Sequence, residues 1–308
     1  MTIHESFPPL PLDQWKETKT TLHLFSQILG KVRLALTPKV NHWWNVPLYV
    51  SARGLTTHPI PDGQYGVFEM ELDFLDHDLV IRTSAGANER VRLREQSVSS
   101  FHQSVFDVLG KQGVHADILA KPFDTERVQS TEPFPTDTVH STYDEEYAHR
   151  FWRVLVGVEI LFKEFRARFE GKCSPVHFFW HSFDLAVTRF SGRRAPLNQG
   201  ADVVTREAYS HEVVSAGFWP GDQNMPEPAF YSYVFPEPDG LAEQPLRPEF
   251  AWWDRQIGSS MALLRYEDFR QSEDPRETLL EFLQSAYEAG SALAHWPRKA
   301  LEPMVVQR

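Results

Sequence analysis

Between Tyr147 and Phe169 the chain places Tyr147, Phe151, Val154, Leu155, Val158, Leu161, Phe162, Phe165 and Phe169 at spacings of three and four residues. That period lines one face of an α-helix and neither face of a strand. A helix with so many rings on one side needs a cover, so the rest of the chain must supply an apolar layer. Its ends are marked too. Thr142 and Glu145 fit a capping box, Asp144 to Glu146 bring negative charge to the first turn, and Gly171 is a natural stop.

Two further helices share this amphipathic pattern. Trp15, Leu22, Phe25, Leu29, Val32 and Leu36 predict a helix over Asp13 to Leu36, with Lys31 and Arg33 suited to its C-terminal dipole and Pro38 ending it. The last strong helix runs from Asp274 to Leu293, with Pro275 at its first position. Between them NHWWNVPLYVSARGLTT reads as a strand ending at Gly54, and Phe68 to Phe74 with Leu79 to Thr83 as a hairpin. Val91 to Leu93 and Val114 to Leu119 are expected as short strands flanking a helix that begins at Ser97. From Lys121 to Ser141 periodicity dissolves into a Pro-containing linker, dividing the chain into 1–121, 122–141 and 142–308. AFYSYVF and Met261 to Leu264 add strands to the second half.

Each half begins with a long helix and reaches a histidine followed by two aromatics, His42-Trp43-Trp44 and His177-Phe178-Phe179. The expectation is an α+β fold from an internal duplication: two pseudo-repeated α-β-β-β-α halves, their mainly antiparallel strands backed by long helices and packed as one compact unit.

A net charge of -11 excludes the concentrated basic footprint of nucleic-acid or anionic-membrane binding. One cysteine excludes an internal disulfide framework. No basic-then-apolar leader opens the chain and no stretch of about 18 apolar residues crosses it, so a cytoplasmic protein is expected. The 22 Phe, 9 Trp and 9 Tyr fill a core or wall a pocket.

Chemically capable side chains concentrate in GKCSPVHFFWHSFDLAVTRFSGRRAP. On a strand His177 and His181 stand about 13 Å apart, too far to share a metal. A divalent transition metal would instead draw on His42, His177, His211 and Glu212, a set that no HExxH or CxxC spacing supports. Arg189, Arg193 and Arg194 form the densest basic cluster, which Arg53, Lys31 and Lys172 extend. Arginine forks suit carboxylate or phosphate. Arg189, Arg193 and Arg53 are thus candidate anion ligands, and Trp43, Trp44 and Phe179 candidate walls. His177, His211, Asp184 and Glu212 are the candidate acid–base groups. Ser210 and His211, adjacent on a strand, would point to opposite faces and form no dyad.

The plain alternatives are core histidines bonded to carbonyls, arginines neutralising Asp184, Glu207 and Glu212, and Cys173 as a small buried hydrophobe. No phosphate loop, GxSxG elbow or dinucleotide fingerprint occurs. The expected function is an enzyme acting on a small anionic or carboxylated metabolite. A non-catalytic ligand-binding protein using the same pocket and a structural or partner-binding protein are the alternatives.

KVRLALTPKVNHWWNVPLYVSARGLTT, GKCSPVHFFWHSFDLAVTRFSGRRAP, REAYSHEVVSAGFWPG and PEPAFYSYVFPEP resemble a family of bacterial proteins catalogued only as a domain of unknown function. The resemblance runs from Leu10 to Trp296 and implies one full-length architecture without an activity. Where members of that family carry glycine this chain has His181, which sets His181 apart from any family-wide site.

Overall fold

The computed structural model describes residues 7–63, 66–196, 200–255 and 259–303. The N-terminal half runs α1 (Lys16–Leu36), β1 (Tyr49–Val50), β2 (Gly54–Thr56), β3 (Ile60–Pro61), β4 (Val67–Asp73), β5 (Asp78–Thr83), β6 (Asn88–Arg92) and α2 (Val98–Lys111). A helical turn, α3 (Thr125–Val128), leads to α4 (Glu145–Ala167). The C-terminal half continues with β7 (His177–Phe179), β8 (Asp184–Arg194), α5 (Val203–Ala208), β9 (His211–Trp219) and β10 (Ala229–Phe235). It closes with β11 (Trp252–Asp254), β12 (Met261–Arg265), α6 (Tyr266–Gln271), α7 (Pro275–Leu293) and α8 (Arg298–Leu301).

The fold is α+β. One sheet has the order β1-β2-β4-β5-β6 with β3 beside β4, and the other β11-β12-β10-β9-β8-β7. Their strand pairs are all antiparallel. A backbone bridge joins them: Leu48 and Phe178 exchange N–H···O=C bonds, each 2.9 Å. The two meanders therefore meet at their first strands. The apolar stripe of α4 buries Phe151, Phe162 and Phe165 against the helix-facing side of this surface. Leu185 and Val187 of β8 meet them in one continuous core with Phe25 and Leu29 of α1.

Four expectations change. NHWWNV folds as a 3-10 turn, Asn41–Trp43, with His42 and Trp43 at φ 58° and 60°, and only Tyr49–Val50 pair as a strand. His42 therefore does not occupy the strand position that His177 occupies, although both halves run helix, antiparallel strands, helix. Each sheet also carries six strands instead of three. Val114 to Leu119 joins no ladder. The cap of α4 is Asp144, which accepts from Tyr147 N at 3.0 Å, because the helix begins two residues later than a Thr142 cap would set it. Within 122–141, Val128 and Phe134 are buried.

A second lock binds the halves. The Trp180 indole donates to the Val46 carbonyl at 2.9 Å and lies across α1 at Gly30, where a Cβ would approach its ring to 2.2 Å. Alanine is normally about 1 kcal/mol better than glycine inside a helix. Here the sign reverses. Gly30→Ala is expected to lower stability by about 1–3 kcal/mol through overpacking, read by equilibrium urea unfolding.

Candidate functional site

Strand parity sorts the candidate residues into two faces. His177 pairs with Ala186, and Phe190 with Val213 two residues beyond His211, so His177, Phe190 and His211 share the face turned away from α4 and α7. Arg189 is an odd step from Ala186 and points into the helix layer. There its guanidinium is 1% exposed and is stacked 3.5 Å from the Phe165 ring centroid and 4.5 Å from that of Tyr287. One N–H reaches the Phe165 carbonyl, and burial lowers its pKa to about 10. Arg189 is a pillar of the core and reaches no ligand on the His177 face.

Arg193 pairs with Glu212 at 2.7 Å, and Arg53 pairs with Asp73 and Asp76 at the far sheet. Both arginines proposed beside Arg189 thus carry carboxylates. Asp184 lies in a separate buried cluster, accepting from the Ser182 and Tyr231 hydroxyls. Gly217 makes that possible: a Cβ there would stand 2.3 Å from the Tyr231 ring, which crosses it to reach β8. Trp43 lies under Lys39, whose Nζ is 4.6 Å from its ring centroid.

What does converge is a seam around Trp44. Its ring lies 5.5 Å from His42, 6.0 Å from His177 and 6.0 Å from Phe190. On one flank, Lys172 Nζ lies 2.7 Å from His42 Nε2, and the His42 and His211 rings are 5.4 Å apart. On the other flank Tyr49 and Phe179 approach His177 at 5.6 and 5.5 Å, and the Arg33 guanidinium covers Tyr49 at 5.6 Å. Arg33 Nε and Nη1 and His177 Nε2 are buried and meet no partner. Among the described residues no carboxylate pairs with Arg33 or Lys172.

Hydrogen bonds fix two tautomers. A carbonyl only accepts, so His42 Nδ1 carries the proton it gives Glu207 O at 3.2 Å, and Nε2 receives Lys172. The Ser210 hydroxyl spends its one proton on Glu207 O at 2.9 Å. It therefore accepts from His211 Nδ1 at 3.1 Å, leaving His211 Nε2 with its lone pair. This contact corrects the expectation of opposed directions: Ser210 sits in the turn before β9, not on it. It is also the reverse of a nucleophile–base pair.

Burial, then the positive field of Lys172, lowers the pKa of His42 and of His211, and burial followed by Arg33 and Arg166 pushes His177 down to about 3. Cys173 is driven up to about 11, chiefly by burial, and stays a thiol. The metal set of His42, His177, His211 and Glu212 does not form. Both nitrogens of His42 are engaged and Glu212 leaves the seam for Arg193. No group of three or more His, Cys, Asp or Glu among the described residues could hold a metal ion.

Two surface hollows lie elsewhere. The larger, about 460 Å³, is lined by Arg90, Arg92 and Arg94, each paired with a carboxylate, and the smaller, about 400 Å³, by Glu237 to Glu243. Sequence reasoning missed Arg33, which it assigned to the helix dipole. Its signal was the ridge Phe25, Leu29, Arg33, which runs at spacing four into the buried face. Lys172 had entered only as a basic neighbour.

These features define an α+β protein with two antiparallel sheets joined edge to edge and a basic, aromatic seam over the junction. The chain belongs to the family of unknown function DUF5996, which matches residues 7–303. No curated protein and no solved structure matches it. No helix among the described residues is long and apolar enough to cross a membrane.

His177 makes a pH prediction. Its pKa is lower folded than unfolded, so the unfolded chain binds the extra proton as pH falls below 6.5, and stability is lost toward pH 3. Between pH 7 and 4.5 this group removes about 2–3 kcal/mol. His177→Phe should lose that much less than wild type in urea unfolding at the two pH values; equal losses would contradict the assignment.

Proposed function

We propose that this protein is an enzyme that binds a small carboxylated, anionic metabolite at the Trp44 seam. One observation carries the reading: cations and imidazoles gather there without a carboxylate, in a chain of net charge -11 whose other basic groups are widely paired. A buried arginine with unmade hydrogen bonds is costly, and a ligand carboxylate supplies the missing acceptors. Arg33 and His177 hold that carboxylate, His177 donating from Nε2. Trp44, Tyr49 and Phe179 are the rings against which the ligand's apolar part would pack. His211 Nε2, unprotonated at neutral pH and half-exposed, is the acid–base group.

A purely ligand-binding protein is the second reading, favoured by His177, whose pKa of about 3 suits a fixed donor better than a proton shuttle. The test is calorimetric titration with lactate and succinate against their neutral amides. The acids should bind, the amides should not, and Arg33→Met or His177→Phe should weaken binding tenfold or more, about 1.5–3 kcal/mol for a lost charged hydrogen bond. Arg189→Met should bind as wild type does. Equal binding of acids and amides, or indifference to Arg33, overturns the proposal.

A further inference from the structure

Lys172 sits where an amine nucleophile would be built. Its Nζ hydrogen-bonds His42 Nε2 at 2.7 Å, within the reach of a general base. The base is oriented in turn, since His42 Nδ1 donates to the Glu207 carbonyl at 3.2 Å. A nucleophile, a base and a group that holds the base are the three parts of an activated nucleophile. Lys172 itself is exposed, as a residue that must meet a ligand has to be.

The backbone beneath the base is strained on purpose or at a cost. His42 and Trp43 both adopt left-handed φ, of 58° and 60°, which residues other than glycine rarely take. The turn is held by Val40 N to Asn45 Oδ1 at 3.1 Å, by Val46 N to Trp43 O at 3.1 Å and by the ion pair of Lys39 with Glu207. Within this turn the His42 ring is held between the Glu207 carbonyl and Lys172.

We infer that Lys172 condenses with the carbonyl of a small 2-oxo acid or similar anionic carbonyl compound to form an imine, with His42 as its base. The inference rests on the proposed seam site, whose unpaired cations draw the anion while its carbonyl meets Lys172 on the His42 flank of Trp44. His42 Nε2 accepts a proton from the ammonium, and the free amine adds to the carbonyl carbon. Its C–N bond forms as the C=O π pair moves to oxygen, and one proton then passes from that nitrogen to the alkoxide, giving a neutral carbinolamine. The His42 proton then leaves with the hydroxyl as water while the nitrogen lone pair closes the C=N bond. The sum is ammonium plus carbonyl giving a protonated imine and water, with no oxidant or reductant.

The surroundings agree. Burial already holds the Lys172 ammonium below the usual lysine range. The Phe190 and Trp44 ring centroids lie 4.8 and 5.2 Å from Nζ, and these rings attract the cationic imine as they attract the ammonium, so they do not oppose the exchange.

The experiment is reductive trapping of the full-length protein with pyruvate and cyanoborohydride, with the adduct mapped by peptide mass spectrometry. Lys172 should be modified ahead of every other lysine. Lys172→Arg, which keeps the charge on an exposed residue, should abolish that adduct, and His42→Asn should slow trapping about a hundredfold. Calorimetry with lactate, which has the carboxylate and no carbonyl, runs in parallel. If lactate binds and Lys172 is not preferentially trapped, the imine inference fails and the anion site stands. If neither lactate nor pyruvate engages the protein, both fall.

Discussion

The exchange of two backbone hydrogen bonds between Leu48 and Phe178 is the constraint on which the rest of this architecture depends. Alone, each half would end in an open edge strand, a liability in any sheet. Joined there, the two meanders become one surface long enough for α1 and α4 to cover together. The junction also determines what lies beside it. The turn carrying His42, Trp43 and Trp44 immediately precedes Leu48 in sequence, and His177 immediately precedes Phe178. A backbone pairing chosen for packing therefore brings the histidines of two distant segments to opposite sides of one tryptophan.

Electrostatics at that junction runs against the rest of the molecule. Elsewhere arginines meet carboxylates, as Arg53 meets Asp73 and Arg90 meets Asp78. At the seam, Lys172 meets a neutral imidazole, and Arg33 meets the ring and hydroxyl of Tyr49 and holds the His177 pKa down. Charge left unpaired in a partly dry site is unfavourable for folding, so its retention beside a strained turn is the kind of local conflict that functional sites display. Arg189 shows the contrasting solution. It too leaves Nε and Nη1 without a hydrogen-bond partner, but three aromatic rings and a carbonyl enclose it inside the helix layer, on the face opposite the seam.

Long elements were legible in the sequence because their apolar periods are long. The α4 and α7 helices and the β4–β5 hairpin follow directly from spacing, down to Pro275 at the first position of α7, and β10 from its aromatic content. The segment around His42 was not. Its Trp, Val and Tyr content resembles a strand, but Asn45 and two left-handed residues turn it before pairing begins, a tertiary outcome that propensity does not carry. The candidate site was half legible. His42, His177, His211, Trp44 and Phe179 do gather, whereas Arg189, Arg193, Glu212 and Asp184 separate from them. For Arg189 and Glu212 the cause is parity, whereas Asp184 shares the His177 face and is drawn off by Ser182 and Tyr231. Assigning Arg189 to the opposite face required the β8 register, and neighbours in sequence such as His211 and Glu212 face apart once they lie on a strand.

The central claim is that neutral imidazoles at the seam, flanked by unpaired cations, receive a carboxylate. Nitrogen-15 NMR of the histidine rings, recorded from pH 7 down to pH 5 with and without succinate, tests it most directly. The account predicts Nδ1-protonated neutral rings for His42 and His211 at pH 7, a His177 ring that stays neutral to pH 5, and succinate-dependent shifts at His177 and the Trp44 indole. A His177 ring that titrates near 6.5, or succinate shifts confined to residues remote from Trp44, would contradict it.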